Sequence, residues 1–102
     1  MKRVLFIAPS RTSRDILSTL LAQEAKNAEF PLDLSSASEK EGIARMERED
    51  FDLVLLCPNL RFLLNEPRES AILGRAKVHV VGSNILGSLD SLALLRIINA
   101  DY

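Results

Sequence analysis

The sequence predicts an α/β fold: a single four-stranded parallel sheet in the order 2-1-3-4, with helices on both faces. Three observations carry this. Short, mainly apolar runs at 4–8, 53–57 and 78–81 read as strands, the first buried on both faces and the second buried. Between the strands, apolar residues recur at three- and four-residue spacing, the period of amphipathic helices. Proline, serine or glycine follows each strand closely, so the chain turns into a helix with little linker. Right-handed crossovers then favour parallel strands covered on both faces.

The elements follow in order. Residues 4–8 form strand one, and Pro9 ends it. Thr12 or Ser13 is the expected N-cap of helix one, with Asp15 favourable in its first turn. Ile16, Leu17, Leu20, Leu21 and Ala25 then predict a helix over 13–27. Residues 30–34 alternate, which suits a strand with one more exposed face. Ser36 or Ser38 caps a charged helix with a thin apolar stripe, Ile43 and Met46. Strand three is 53–57. After Pro58, Leu60, Leu63 and Leu64 share a helical face. Pro67 interrupts or restarts that helix, because an interior proline costs about 3 kcal/mol. Residues 78–81 are strand four and 82–84 a loop. Ser88 or Asp90 opens a last helix whose face includes Leu89, Leu92, Leu95 and Ile98.

Bulk properties narrow the function classes. A chain of 102 residues is expected to be one domain, 1–102, large enough for its own core. Hydrophobic residues at 47% argue against disorder. Thirteen basic and fourteen acidic residues make no field for nucleic acid or an anionic membrane. With no Trp and one Tyr, there is no platform for stacking bases. One cysteine, Cys57, excludes an internal disulfide, and with His79 as the one histidine no metal cluster or cofactor site is expected. The apolar start is shorter than the roughly 7–15 residues of a signal core. No segment reaches the roughly 20 apolar residues of a membrane span. A soluble cytoplasmic protein is expected.

Ligands of parallel α/β sheets bind beyond the carboxyl ends of the strands. The loops 8–14, 35–38, 57–60 and 82–88 are therefore where a site belongs. The first is Ala8-Pro9-Ser10-Arg11-Thr12-Ser13-Arg14, running into a helix start. Free backbone N–H groups and the helix dipole favour an anion there. Arg11 and Arg14 add guanidiniums, and Ser10, Thr12 and Ser13 add hydroxyls, for phosphate or sulfate. The spacing from Ala8 to Arg14 also fits a Cys-x5-Arg phosphatase loop with its cysteine replaced. The competing reading is a solvated loop with a helix cap and two surface arginines. Cys57 ends strand three beside this loop, as a small strand-end residue or an alternative nucleophile. Ser10 lacks a neighbouring base, and His79 reads as structural. Arg61 either reaches an anion or covers its helix. Residues 45–50 alternate in charge, like a solvated helix end.

Residues 55–66, LLCPNLRFLLNE, resemble the "LLGPQ-x-R/A-[FY]-x-L-x-E" segment of lactose/cellobiose (chitobiose) IIB components of the sugar phosphotransferase system. Val80-Val81-Gly82, Leu86-Gly87 and Leu89-Asp90 echo that family's "V-I-D … Y-G … M-D-G". The resemblance covers nearly the whole chain and implies a IIB fold, similar in architecture to low-molecular-weight phosphatases. It implies a IIA-type phosphocarrier and a membrane IIC sugar transporter as partners. It also aligns Ala8 with the phosphate-accepting cysteine and Cys57 with the glycine of the family segment, while only Ser13 keeps a family residue in the first loop. On that alignment Ala8 has no nucleophile, and phosphocarrier activity is expected to be absent. The alternative is a non-enzymatic module that binds an anion or a phosphoprotein through loop 8–14. A response-receiver domain is excluded, since the acidic cluster after strand one and the aspartate ending strand three are missing.

Overall fold

The computed structural model describes residues 1–88 and 90–100. The sheet contains β1 (Lys2–Ile7), β2 (Leu32–Ala37), β3 (Leu53–Leu56) and β4 (Lys77–Val80). All pairs are parallel and the order is β2-β1-β3-β4, as the sequence predicts. The helices are α1 (Arg11–Asn27), α2 (Glu39–Arg48), α3 (Pro67–Leu73), α4 (Ser83–Ser88) and α5 (Ser91–Ala100), with a 3-10 helix at Pro58–Asn65.

Side-chain alternation sorts the core into two layers. Val4, Phe6, Leu53 and Leu55 face Leu17, Leu21 and Ala25 of α1 and Leu94, Leu95 and Ile98 of α5. Leu5, Ile7, Val54 and Leu56 face Ile43 and Met46 of α2, Leu60 and Leu63 of the 3-10 helix, and Leu73 of α3. The central strands are therefore apolar from Val4 to Ile7 and from Leu53 to Leu56, while β2 at the edge is half exposed.

Several local expectations change, and others narrow to one of their alternatives. Helix α1 starts earlier than Thr12 or Ser13, and Ser10 is its cap: its hydroxyl accepts the Ser13 N–H at 3.3 Å. Asp15 thereby falls outside the first turn. Ser38, not Ser36, caps α2, because β2 continues through Ala37. The segment after Pro58 winds as a 3-10 helix, with Leu60 and Leu63 eclipsed and buried and Leu64 only half buried. Pro67 restarts the chain at the first position of α3, where its missing N–H costs nothing. The expected loop at 82–84 instead enters α4, since the Gly82 carbonyl accepts the Ile85 and Leu86 N–H groups. Asp90, not Ser88, caps α5 by accepting the Ala93 N–H at 3.0 Å. Leu94 joins Leu95 and Ile98 on its buried face, while Leu92 is exposed. Leu89, expected on that face, lies outside the described residues.

The amino edge of the sheet carries a charged clamp. Arg3 bonds Glu49 at 2.8 Å and Asp33 at 3.3 Å, and Arg45 holds Glu49 through two further bonds. Both guanidiniums lie over the Phe51 ring, at 4.7 and 5.3 Å from its centroid. Arg45 and Glu49 are thus half-buried partners rather than parts of a solvated helix end. Two arginine hydrogen bonds hold the Glu49 carboxyl down at about 2. Nearby, the buried Lys2 ammonium donates to the Ile98 carbonyl at 2.7 Å and ties strand one to the last turn of α5.

Candidate functional site

The path of the chain puts the switch in strand order between β1 and β3. The connection from β1 goes to β2 on one side, and the next crosses back to β3 on the other. The crevice at such a switch point opens beyond the carboxyl ends of those two strands. Ala8 and Cys57 are the next residues there.

Their relation follows from the register. Ile7 pairs with Leu56, and the Cys57 N–H donates to the Ile7 carbonyl at 3.0 Å. One step further, Ala8 stands beside Cys57, at the roughly 4.8 Å spacing of neighbouring strands. Alternation puts Ala8 on the α1/α5 face, following Val4 and Phe6, while Cys57, at the end of its strand, packs against both core layers. Ala8 is 2% exposed, and its N–H donates to the Ala37 carbonyl at 3.1 Å. Its methyl belongs to the core layer under α1 and α5. Cys57 is half buried and precedes the 3-10 helix, its carbonyl accepting the Leu60 N–H.

Loop 8–14 is braced by its own side chains. Arg14 folds back and donates Nη1 to the Ala8 carbonyl at 2.6 Å and to the Pro9 carbonyl at 3.2 Å. A guanidinium has five N–H donors, so this brace leaves others for an anion. Arg11 is exposed and pairs loosely with Asp15 at 3.8 Å. Ser10 is engaged as the helix cap, while Thr12 and Ser13 are exposed. Loop 8–14 therefore brings the named hydroxyls and arginines to one helix start, with Arg14 turned onto the backbone.

Other candidates stand apart. His79 is half buried in the edge strand β4, opposite Leu55. Arg61 is exposed on the 3-10 helix. Among the described residues no group of three or more His, Cys, Asp or Glu could hold a metal ion. No helix among them is long and apolar enough to cross a membrane. One feature had only a weak signal in the sequence. Gly42 of α2 lies against Ile7, just before Ala8, so closely that a Cβ there would stand 2.7 Å from Ile7 Cδ1. Only its glycine identity, in a helix, hinted at a close approach.

A separate cleft of about 470 Å³ lies on the opposite face, between α2 and the segment 62–69. It includes no residue of loop 8–14.

The sequence matches no protein-family model and no curated protein. The fold, however, is shared over its whole length with a solved structure. That structure is the lactose-specific IIB component domain of the phosphoenolpyruvate:carbohydrate phosphotransferase system from Streptococcus pneumoniae. The TM-score is 0.73 at 17% identity, covering 99% of this chain and 97% of that one. At this identity the likeness establishes the architecture.

Proposed function

We propose that this chain is a IIB-like protein of a sugar phosphotransferase relay in which the carrier step has been lost. A IIB domain of this class takes a phosphoryl group from a phosphohistidine of its IIA partner onto a cysteine. The N–P bond breaks and an S–P bond forms, and the membrane IIC component then presents the sugar. Such chemistry requires a thiolate at a helix start. The observation that carries the proposal is Ala8. It directly follows the central strand β1 at the switch point, buried and three residues before α1, with a methyl where the family resemblance calls for sulfur. The full-length likeness to the lactose-specific IIB domain supports the scaffold half of the reading.

On this reading the partner surface persists without transfer. Loop 8–14, with Ser10, Arg11, Thr12, Ser13 and Arg14, meets the phosphoryl group of the partner and does not accept it. The test is incubation with a reconstituted phosphate-transfer chain, followed by mass spectrometry of the intact protein. The wild-type chain is expected to gain nothing, and Ala8→Cys to gain one phosphoryl group. Stable phosphorylation of the wild type would overturn the loss of transfer. Failure of a well-folded Ala8→Cys to take up phosphate would overturn the IIB reading.

Two further readings have their own tests, and a specific observation favours the first. Cys57 neighbours Ala8 across the β1/β3 ladder, so a thiol stands one strand away from the family position. If it has taken over, the wild type becomes phosphorylated and Cys57→Ser does not. As a non-enzymatic module, the loop binds free phosphate or sulfate. Such an anion then raises the melting temperature by mass action at matched ionic strength, and Arg11→Ala weakens the effect.

A further inference from the structure

The cleft between α2 and the segment 62–69 is unrelated to loop 8–14, and its chemistry is distinctive. Its floor is apolar: Ile43 and Leu63 are buried at the base and Phe62 stands beside them. Phe62 is 50% exposed. The 3-10 winding enforces this, because turning Leu60 and Leu63 inward leaves position 62 facing out. A large apolar ring beside a concave apolar floor is a common mark of a protein-binding surface.

The rim decides what kind of partner fits. Glu39, Glu47, Glu66 and Glu69 line it, against Lys40 and Arg68. Arg68 is already engaged, bonding Glu47 across the cleft at 3.1 Å and Glu69 at 3.5 Å. The lining is therefore net acidic, on a chain whose whole charge is only -1. A second copy of this chain would bring the same acidic rim against itself, so self-association through this cleft is disfavoured. A cationic side chain satisfies both halves of the site. It pairs with Glu39 or Glu66 and lies over the Phe62 ring.

We infer that this cleft is a docking groove for an amphipathic helix of a partner protein, with an apolar face and basic flanks. One wall is α2; the other runs from the end of the 3-10 helix through the extended Glu66 into the first turn of α3, and a helix lays its apolar face along a groove of this kind. The cleft volume suits one or two apolar anchors rather than a broad flat interface. The inference stands independently of the reading of loop 8–14.

The test uses the full chain and a synthetic helical peptide with a leucine face and a lysine face. Its twin carries glutamate in place of every lysine. Binding is read by fluorescence anisotropy, and amide chemical shifts map the contact. The lysine peptide is expected to bind, to shift the amides of residues 39–47 and 62–69, and to weaken with added salt. The glutamate twin is expected not to bind. Phe62→Ala should weaken binding about tenfold. Glu39→Gln with Glu66→Gln should also weaken it while keeping the apolar floor. Equal binding of the two peptides, shifts centred elsewhere, or affinity unchanged in both variants would each overturn the inference. So would concentration-dependent dimerisation that Phe62→Ala abolishes, because the occupant would then be a second copy.

Discussion

Replacing Gly42 with alanine tests how α2 is seated on the strand that leads to the crevice. A Cβ built at Gly42 would lie 2.7 Å from Ile7 Cδ1, 2.8 Å from Cγ1 and 3.3 Å from Cγ2. Carbon atoms at rest sit about 3.5–4.0 Å apart, so all three contacts are too short. Ile7 has no room to retreat, since it is 0% exposed between β2, β3 and α2. Overpacking of this kind costs about 1–3 kcal/mol. Alanine returns up to about 1 kcal/mol in helix propensity. The net expectation is a loss of about 1–2 kcal/mol, and each kcal/mol lowers the melting temperature of a domain this size by about 4–8 °C. Thermal and urea unfolding of Gly42→Ala, Ile7→Ala and the double variant form the decisive cycle. With Ile7 cut back, all three short contacts disappear, and Gly42→Ala should become neutral or stabilising. An equal penalty in the Ile7→Ala background would refute the steric argument, as would an undamaged single variant.

Three further outcomes are expected. Glu49 has a folded pKa lowered to about 2, so the stability it contributes is present above its unfolded value near 4.5. That stability is lost as pH falls from there through the folded value; unfolding of Glu49→Gln against pH should lack this part of the acid slope, and an unchanged slope would exclude the clamp as its source. The Ser18 hydroxyl is buried without a hydrogen-bond partner, so Ser18→Ala should raise stability by about 1 kcal/mol in urea unfolding. Lys2→Met removes the buried bond to the Ile98 carbonyl and should cost about 1.5–3 kcal/mol. Hydrogen exchange in the last turn of α5 should quicken in that variant before exchange in the central strands.

The ends of the two central strands were legible because their signals are local. Pro9 and Pro58 mark where the two central strands stop, and each lies beside a residue of the crevice, Ala8 or Cys57. Caps were less legible. Ser10, Thr12 and Ser13 all carry the right hydroxyl, and the choice fell to the one with extended backbone as the chain leaves β1. The turn into α4 was hidden by its loop-like Gly82-Ser83-Asn84 composition and its lack of buried residues. The sequence offers the Arg14 guanidinium to an anion, and says nothing of the backbone it folds onto. Its actual acceptors, the carbonyls of Ala8 and Pro9, turn toward it only once the loop has folded.

By itself the sequence determined the parallel α/β architecture, since the period of its apolar residues dictates which segments are strands and which are helices. It also determined that no sulfur stands at the end of strand one, because residue identity needs no folding. Tertiary structure alone decided that Gly42 closes on Ile7 and that Phe62 overlooks an acid-rimmed cleft. Those relations join residues distant along the chain, and they depend on register and helix seating, which no local pattern encodes.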